Sequence, residues 1–310
     1  IRPYLAAVAE VPALNDVLHM VEGDGATGAA LVELVDQICF TGSVATGRTV
    51  GEAAARAFIP ARLELGGKDP MLVLDGVDPE WAASVALRAS IVNSGQACQS
   101  IERVYVARQV HGAFLESLVR QAQSVRLNWP DISVGDIGPF ISTAQADIVA
   151  AQLADAVAKG ARALTGGTVE TLGGGRYLKP TVLTGVTPDM AVLREETFGP
   201  VIPVVPFDTL DEGIALANSG QFGLSAAILA PTLAEGEALA PRLKAGAVSI
   251  NDGALTSMVW EGEKSSFGLS GLGPSRMGAS GLLRFFRRQA LLIQQGQAAP
   301  IAAYAEDARR

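Results

Sequence analysis

The sequence predicts an α/β fold in which strands and helices alternate around parallel sheets. Two observations carry this reading. Short apolar runs alternate along the chain with stretches of helical spacing, the order that places helices on both faces of a parallel sheet. Hydrophobic residues make up 49% of the 310 positions while aromatics make up only 5%. The core is therefore built from Ala, Val, Leu and Ile, the composition of strands buried on both faces. The length favours two domains over one.

Residues 1–10 (IRPYLAAVAE) read as the tail of a helix, and the chain opens on Ile1 rather than Met. The expectation is a fragment or processed product of a longer protein. Residues 35–40 (VDQICF) form a short strand ending in Thr41-Gly42-Ser43, and a helix follows through Phe58. Residues 63–65 and 71–74 read as strands around Gly66-Gly67-Lys68. Asp78-Pro79-Glu80 starts a helix, with Asp as N-cap and Pro in the first turn. That helix carries Trp81, Val85, Ala89 and Val92 at helical spacing and breaks at Asn93-Ser94-Gly95. Residues 103–107 (RVYVA) predict a strand and residues 112–125 a helix. Ser142 caps another helix, which stops at Gly160. Gly173-Gly174-Gly175 is a turn, and residues 200–207 are extended. Residues 211–218 and 233–243 predict helices, interleaved with strands over 225–229 and 247–250. Residues 295–310, rich in Ala and Gln, read as loosely held.

Charge and cysteine content narrow the function. The net charge is −8, from 24 Lys and Arg against 32 Asp and Glu. An acidic balance argues against broad nucleic-acid binding, which needs clustered cations. No apolar run reaches 18 residues and no signal-peptide pattern opens the chain, so no membrane partner is expected. Two cysteines, Cys39 and Cys98, build no disulfide framework, which points to a reducing, cytoplasmic setting. With two histidines only, His19 and His111, a histidine base has few candidates. No metal site is expected.

Three motifs carry candidate chemistry. Residues 63–68 (LELGGK) hold Glu64 between two leucines at a strand end. A carboxylate there reads as a general base whose pKa an apolar pocket raises. Asn93-Ser94-Gly95-Gln96-Ala97-Cys98 lies between a helix and a strand, where a turn can expose a thiol and aim a backbone N–H beside the sulfur. Cys39, inside a strand, reads instead as a small buried hydrophobe. In Glu195-Glu196-Thr197-Phe198-Gly199-Pro200, a carboxylate can accept from two adjacent hydroxyls, as a ribose diol offers, and Phe198 can face a flat ring.

Taken in order, LELGGK, GQAC with its Cys 34 positions after the Glu (98 − 64), and EETFGPV resemble the aldehyde dehydrogenase superfamily. Phe40-Thr41-Gly42-Ser43, Lys179-Pro180-Thr181, Ala217-Asn218, Phe222-Gly223-Leu224-Ser225 and the run 245–251 (AGAVSIN) belong to the same pattern, which covers nearly the whole chain. The resemblance implies a Rossmann-like parallel sheet remnant plus an α/β catalytic domain. Residues 1–66 would be the remaining C-terminal part of the dinucleotide-binding domain and 67–270 the catalytic domain. Residues 271–310 would return to the cofactor domain and supply an oligomerisation strand.

By the same resemblance, Cys98 is the nucleophile and Glu64 activates water to hydrolyse a thioester. Gly42, Ser43, Leu65, Glu196 and Phe198 contact NAD or NADP. The turn at Gly42-Ser43 would hold the cofactor diphosphate at a helix N-terminus. Its spelling G-x-x-x-x-G-R-T, close to the phosphate loop of nucleotide hydrolases, is then a coincidence. Lys68 would support the loop between the two domains. The implied activity is oxidation of an aldehyde to a carboxylic acid, by a homo-oligomer when full length. A CoA-acylating semialdehyde dehydrogenase and a truncated, non-catalytic fragment stay open beside it; Glu64 argues for hydrolysis over acyl transfer.

The C-terminal run departs from the family's usual Phe-Gly-Gly-x-Lys-x-Ser-Gly pattern. Here Glu261-Gly262-Glu263-Lys264-Ser265-Ser266-Phe267-Gly268 precedes Ser270-Gly271-Leu272-Gly273 and Ser275-Arg276-Met277-Gly278. Arg284-Phe285-Phe286-Arg287-Arg288 reads as a solvated helix end with packed phenylalanines, and residues 291–294 (LLIQ) as the strand lent to a neighbouring subunit.

Overall fold

The computed structural model describes residues 2–14, 17–274 and 277–309. Ile1, Arg310 and, within the divergent C-terminal run, Ser275 and Arg276 lie outside the described residues. Two parallel sheets organise the chain. The first opens after helices α1 (Arg2–Ala9) and α2 (Gly25–Val32). Strand β1 (Ile38–Thr41) leads through helix α3 (Val44–Arg56) to β2 (Ala61–Glu64). These strands pair in parallel, Thr41 opposite Glu64, and Gly271–Leu272 closes the sheet antiparallel to β2.

The second sheet has seven strands, with β3 (Asp69–Val73) and β4 (Ile101–Ala107) near its centre. Outward from β3 lie Ser225–Leu229 and Ala247–Ile250. Outward from β4 lie Val201–Phe207, Thr181–Thr184 and the antiparallel edge Arg162–Ala163. Every residue of β3 and β4 is buried, which explains their near-continuous apolar spelling. Helix α4 (Pro79–Ile91) begins as predicted, with the Asp78 side chain accepting from Glu80 and Trp81 N–H and Pro79 in the first turn. It packs on α5 (Arg108–Ser124), and Phe114 and Leu118 fill the space between helix and sheet. Helix α6 (Thr143–Ala158), capped by Ser142, covers the Thr181–Thr184 end.

Element boundaries moved where charge or capping misled. Strand β4 starts two residues earlier than predicted, at Ile101, because Glu102 is buried within it. Helix α5 starts at Arg108 rather than Gly112, with no side-chain cap to mark it. The predicted helix over 233–243 divides into Leu233–Leu239 and a 3₁₀ turn at Ala240–Arg242, since Pro241 cannot donate to the α-helical ladder. The three-glycine turn joins Glu170–Leu172 to Gly175–Tyr177, with Gly173 and Gly174 at φ of 55° and 86°.

Two packing expectations, those for Cys39 and for Phe285 and Phe286, are corrected. Cys39 is exposed, not buried. It lies on the edge strand of a small sheet and faces a groove that α2 and α3 leave open. Phe285 and Phe286 are exposed too, following the four-residue helix Ser280–Leu283, which is too short to bury them. Residues 291–294 pair with no strand among the described residues, and Leu292 is 92% exposed. No helix of the described residues is long and apolar enough to cross a membrane.

Candidate active site

The three sequence motifs meet at the end of the first sheet, and glycines set how closely. A methyl group at Gly67 would lie 2.4 Å from the carbonyl oxygen of Cys98. One at Gly66 would lie 2.5 Å from a carboxylate oxygen of Glu196, and one at Gly95 would lie 2.4 Å from the backbone of Gly199. Heavy atoms do not approach a methyl that closely. The LELGGK strand end, the cysteine loop and the EETFGP turn are thus in three mutual contacts, each needing a residue without a side chain.

The cysteine loop is rigid by construction. After α4, Asn93, Ser94 and Gly95 take φ of 55°, 58° and 69° in succession, a left-handed run that L-residues rarely adopt. Hydrogen bonds over-determine it. Ser94 Oγ donates to the Gly138 carbonyl and accepts from its N–H at 3.1 and 3.0 Å. Asn93 Nδ2 donates to the Gln96 carbonyl at 2.8 Å. Gln96 accepts from the Ile141 N–H at 2.8 Å and donates to the Pro139 carbonyl at 3.2 Å. Thr256 Oγ1 donates to Gln99 at 2.9 Å. Cys98, held in this frame, is half-buried and in no disulfide.

Glu64 ends β2 half-buried, and its carbonyl accepts the Gly42 N–H at 3.1 Å. The same carbonyl thus fixes the turn into α3, where Ser43 is the N-cap and its Oγ accepts the Thr46 N–H at 3.2 Å. Gly42 and Ser43 are exposed at the start of a 13-residue helix, so both are open to an anion at that end. Leu65 is 8% exposed, packs against Gly47 of α3 and lines a cavity there with Leu63 and Gly271.

Glu196 and Phe198 sit on a turn anchored from beneath. Lys68 Nζ donates to Glu102 and to Thr197 Oγ1, both at 2.7 Å, and all three residues are at most 3% exposed. Burial lowers the pKa of Lys68, and the facing Glu102 carboxylate works against that. Glu102 also accepts the N–H groups of Thr197 and Phe198 at 2.8 Å, which secures Phe198 at a left-handed φ of 51°. Gln152 closes the network by accepting from Thr197 Oγ1 at 2.8 Å and donating to the Glu196 carbonyl. Glu196 Oε1 accepts the Gly67 N–H at 3.1 Å. Burial first, then the nearby Glu102 charge, pushes the Glu196 carboxyl up to about 7.

Beside Ser43 a groove of about 610 Å³ runs between α2 and α3, over β1. The Gly25, Gly28 and Ala29 face of α2 forms one wall, and a methyl at Gly25 or Gly28 would meet nothing within 4 Å. That leaves room for a flat group along the helix. These small residues escaped the sequence reading; the spelling Asp24-Gly25-Ala26-Thr27-Gly28-Ala29-Ala30, an N-cap followed by a small-residue helix, was the available signal.

Comparison with known proteins shows the family. The aldehyde dehydrogenase family profile matches residues 4–291. A Mycolicibacterium smegmatis protein provisionally named succinate-semialdehyde dehydrogenase (NADP+) is 41% identical over 277 residues, 89% of this chain and 53% of that protein. A provisionally named aldehyde dehydrogenase, PutA, from Anabaena variabilis superposes with a TM-score of 0.92 at 52% identity, covering 96% of this chain and 64% of that one. Lactaldehyde dehydrogenase from Escherichia coli gives 0.83 at 35% identity, covering 89% and 58%. The chain belongs to the aldehyde dehydrogenase family. It spans about half the length of the curated relatives it matches.

Two consequences are measurable. Gly67→Ala displaces the Cys98 carbonyl, so alkylation of Cys98 by iodoacetamide should slow severalfold while the circular dichroism spectrum is retained; an unchanged rate at Cys98, read by mass spectrometry, refutes the contact. For Glu196, the folded-state pKa of about 7 exceeds that of an unfolded glutamate, about 4.3. Between those values the unfolded chain loses its proton first, so rising pH disfavours the fold until about pH 7. Glu196→Gln should remove that loss, gaining thermal stability over the parent at about pH 8 relative to about pH 5.

Proposed function

We propose that this chain is the catalytic portion of an NAD(P)-dependent aldehyde dehydrogenase that releases a carboxylic acid. The observation that carries the reading is the convergence of Cys98, the Glu64 strand and the Glu196 turn through three glycine contacts. The names borne by its relatives, succinate-semialdehyde and lactaldehyde dehydrogenase, support a small aldehyde as substrate. The separate sheets of residues 38–64 and 69–250 support a division between cofactor-binding and catalytic parts near residue 66, with residues 271–310 returning to the first. The exposed segment 291–294 is the candidate strand for homo-oligomer assembly.

The residues present fit a dinucleotide. Gly42 and Ser43 would hold its diphosphate at the α3 N-terminus, and the groove of small residues on α2 would take the flat base. Glu196 offers Oε2 to a ribose diol beside Phe198. Leu65, the residue after β2, would contribute from beside α3. Bound there, the nicotinamide supplies the acceptor for the hydride that leaves the aldehyde carbon.

The rest belongs to the chain. The Cys98 sulfur attacks the carbonyl carbon as a thiolate, giving a thiohemiacetal whose oxyanion the Cys98 N–H can stabilise; such a donor is typically worth about 3 kcal/mol. Oxidation leaves the acyl group on Cys98 as a thioester. Glu64 takes a proton from water as the water oxygen attacks that thioester, and the C–S bond breaks to return the thiolate and release the acid. The hydrogen-bonded left-handed loop fixes the sulfur throughout, which is where positioning contributes to rate.

Assays belong on the complete enzyme that carries these residues. Cys98→Ala should abolish aldehyde oxidation, and substantial remaining turnover would remove Cys98 from its role. Glu64→Gln should leave a burst of reduced cofactor followed by a slow steady state, because only acyl release suffers. Loss of the burst itself would show that Glu64 acts before the thioester forms.

A further inference from the structure

A second cavity, of about 450 Å³, lies on the seven-stranded sheet beneath the helix Leu210–Ala217. Its size falls within the range of small-molecule sites, about 300–1,000 Å³. Leu193, Val205 and Leu216 give it apolar walls. Tyr105, on β4 and 2% exposed, is part of its lining. The Tyr105 hydroxyl accepts an N–H from Arg103 at 3.4 Å, and among the described residues no oxygen takes its own proton. A buried hydroxyl without an acceptor is costly and uncommon.

Arg194 supplies the second donor. It lines the same cavity, is exposed, and makes no hydrogen bond among the described residues, although Asp155 and Asp189 feel its charge. The one carboxylate in the lining, Glu212, is exposed, and its Oε2 accepts the Asp208 N–H at 2.7 Å at the start of its helix. The cavity thus places the Tyr105 hydroxyl, whose own proton no described oxygen accepts, and the exposed Arg194 guanidinium in one lining with apolar side chains.

We propose that this cavity binds a small aliphatic carboxylate, its anionic head between the Tyr105 hydroxyl and the Arg194 guanidinium and its hydrocarbon body against Leu193, Val205 and Leu216. Arg194 ends the short helix Ala191–Arg194, two residues before Glu196, so an occupant bears directly on the turn that carries Glu196. Arg103, which contacts the Tyr105 hydroxyl, also donates to the Lys68 carbonyl at 2.8 Å. Both routes lead from the cavity to the anchored turn.

Isothermal titration of the chain with 4-methylpentanoate, against the alcohol 4-methylpentan-1-ol, tests this without turnover, so failure of the proposed oxidation does not affect it. The acid should bind and the alcohol should not. Tyr105→Phe and Arg194→Gln should each weaken the acid by about tenfold or more. Tyr105→Phe keeps the bonds of Arg103 to the Ser219 and Ala217 carbonyls, and Arg194 is exposed, so both variants should fold. Equal binding in both variants would place the acid elsewhere, such as beside Cys98. That result, equal binding of the alcohol, or no binding at tens of millimolar acid would overturn the proposal.

Discussion

The Lys68–Glu102 ion pair is the constraint from which the candidate site is built. Both residues are almost fully buried and 2.7 Å apart. Taking two charges from water costs several kcal/mol each, and only good geometry with further hydrogen bonds offsets it. Here Thr197 and Phe198 supply those bonds. A pair of this kind adds little net stability over an apolar packing of equal volume, yet losing one partner strands the other and costs about 3–5 kcal/mol. Its place in the fold is to tie together the strand end after Glu64, the start of β4 after Cys98 and the Glu196 turn.

Above that buried layer, the surfaces are set by what is missing from three glycines. The ion pair draws the chains together, and Gly66, Gly67 and Gly95 let their backbones touch. The electrostatic consequence appears at Glu196. Burial raises the Glu196 carboxyl most, and the nearby Glu102 charge adds to it. The turn therefore carries a carboxyl poised near neutrality.

Much of this was legible in the sequence, for identifiable reasons. Helix α4 announced its start because Asp78 and Pro79 act locally, through a cap and a fixed φ. The motif residues drew attention because a carboxylate between leucines, or a cysteine among Gly and Gln, departs from local rules. Long-range pairing was what the sequence hid. Glu102 and Arg103 look like solvent residues until partners from positions 68, 197 and 217–219 arrive. Cys39, apolar by type, faces an open groove because its strand lies at a sheet edge.

That exposed Cys39 alters how thiol chemistry on this chain must be read. A reagent that counts accessible sulfurs counts two, and the second lies in the groove between α2 and α3. A nucleotide occupying that groove would shield Cys39 directly, while shielding Cys98 only by reaching the far end of the site. Bulk protection from alkylation by a nucleotide would therefore mix two events that report on opposite ends of the molecule it binds. Peptide-resolved labelling, or a Cys39→Ser background, separates them and turns the two cysteines into independent rulers of occupancy.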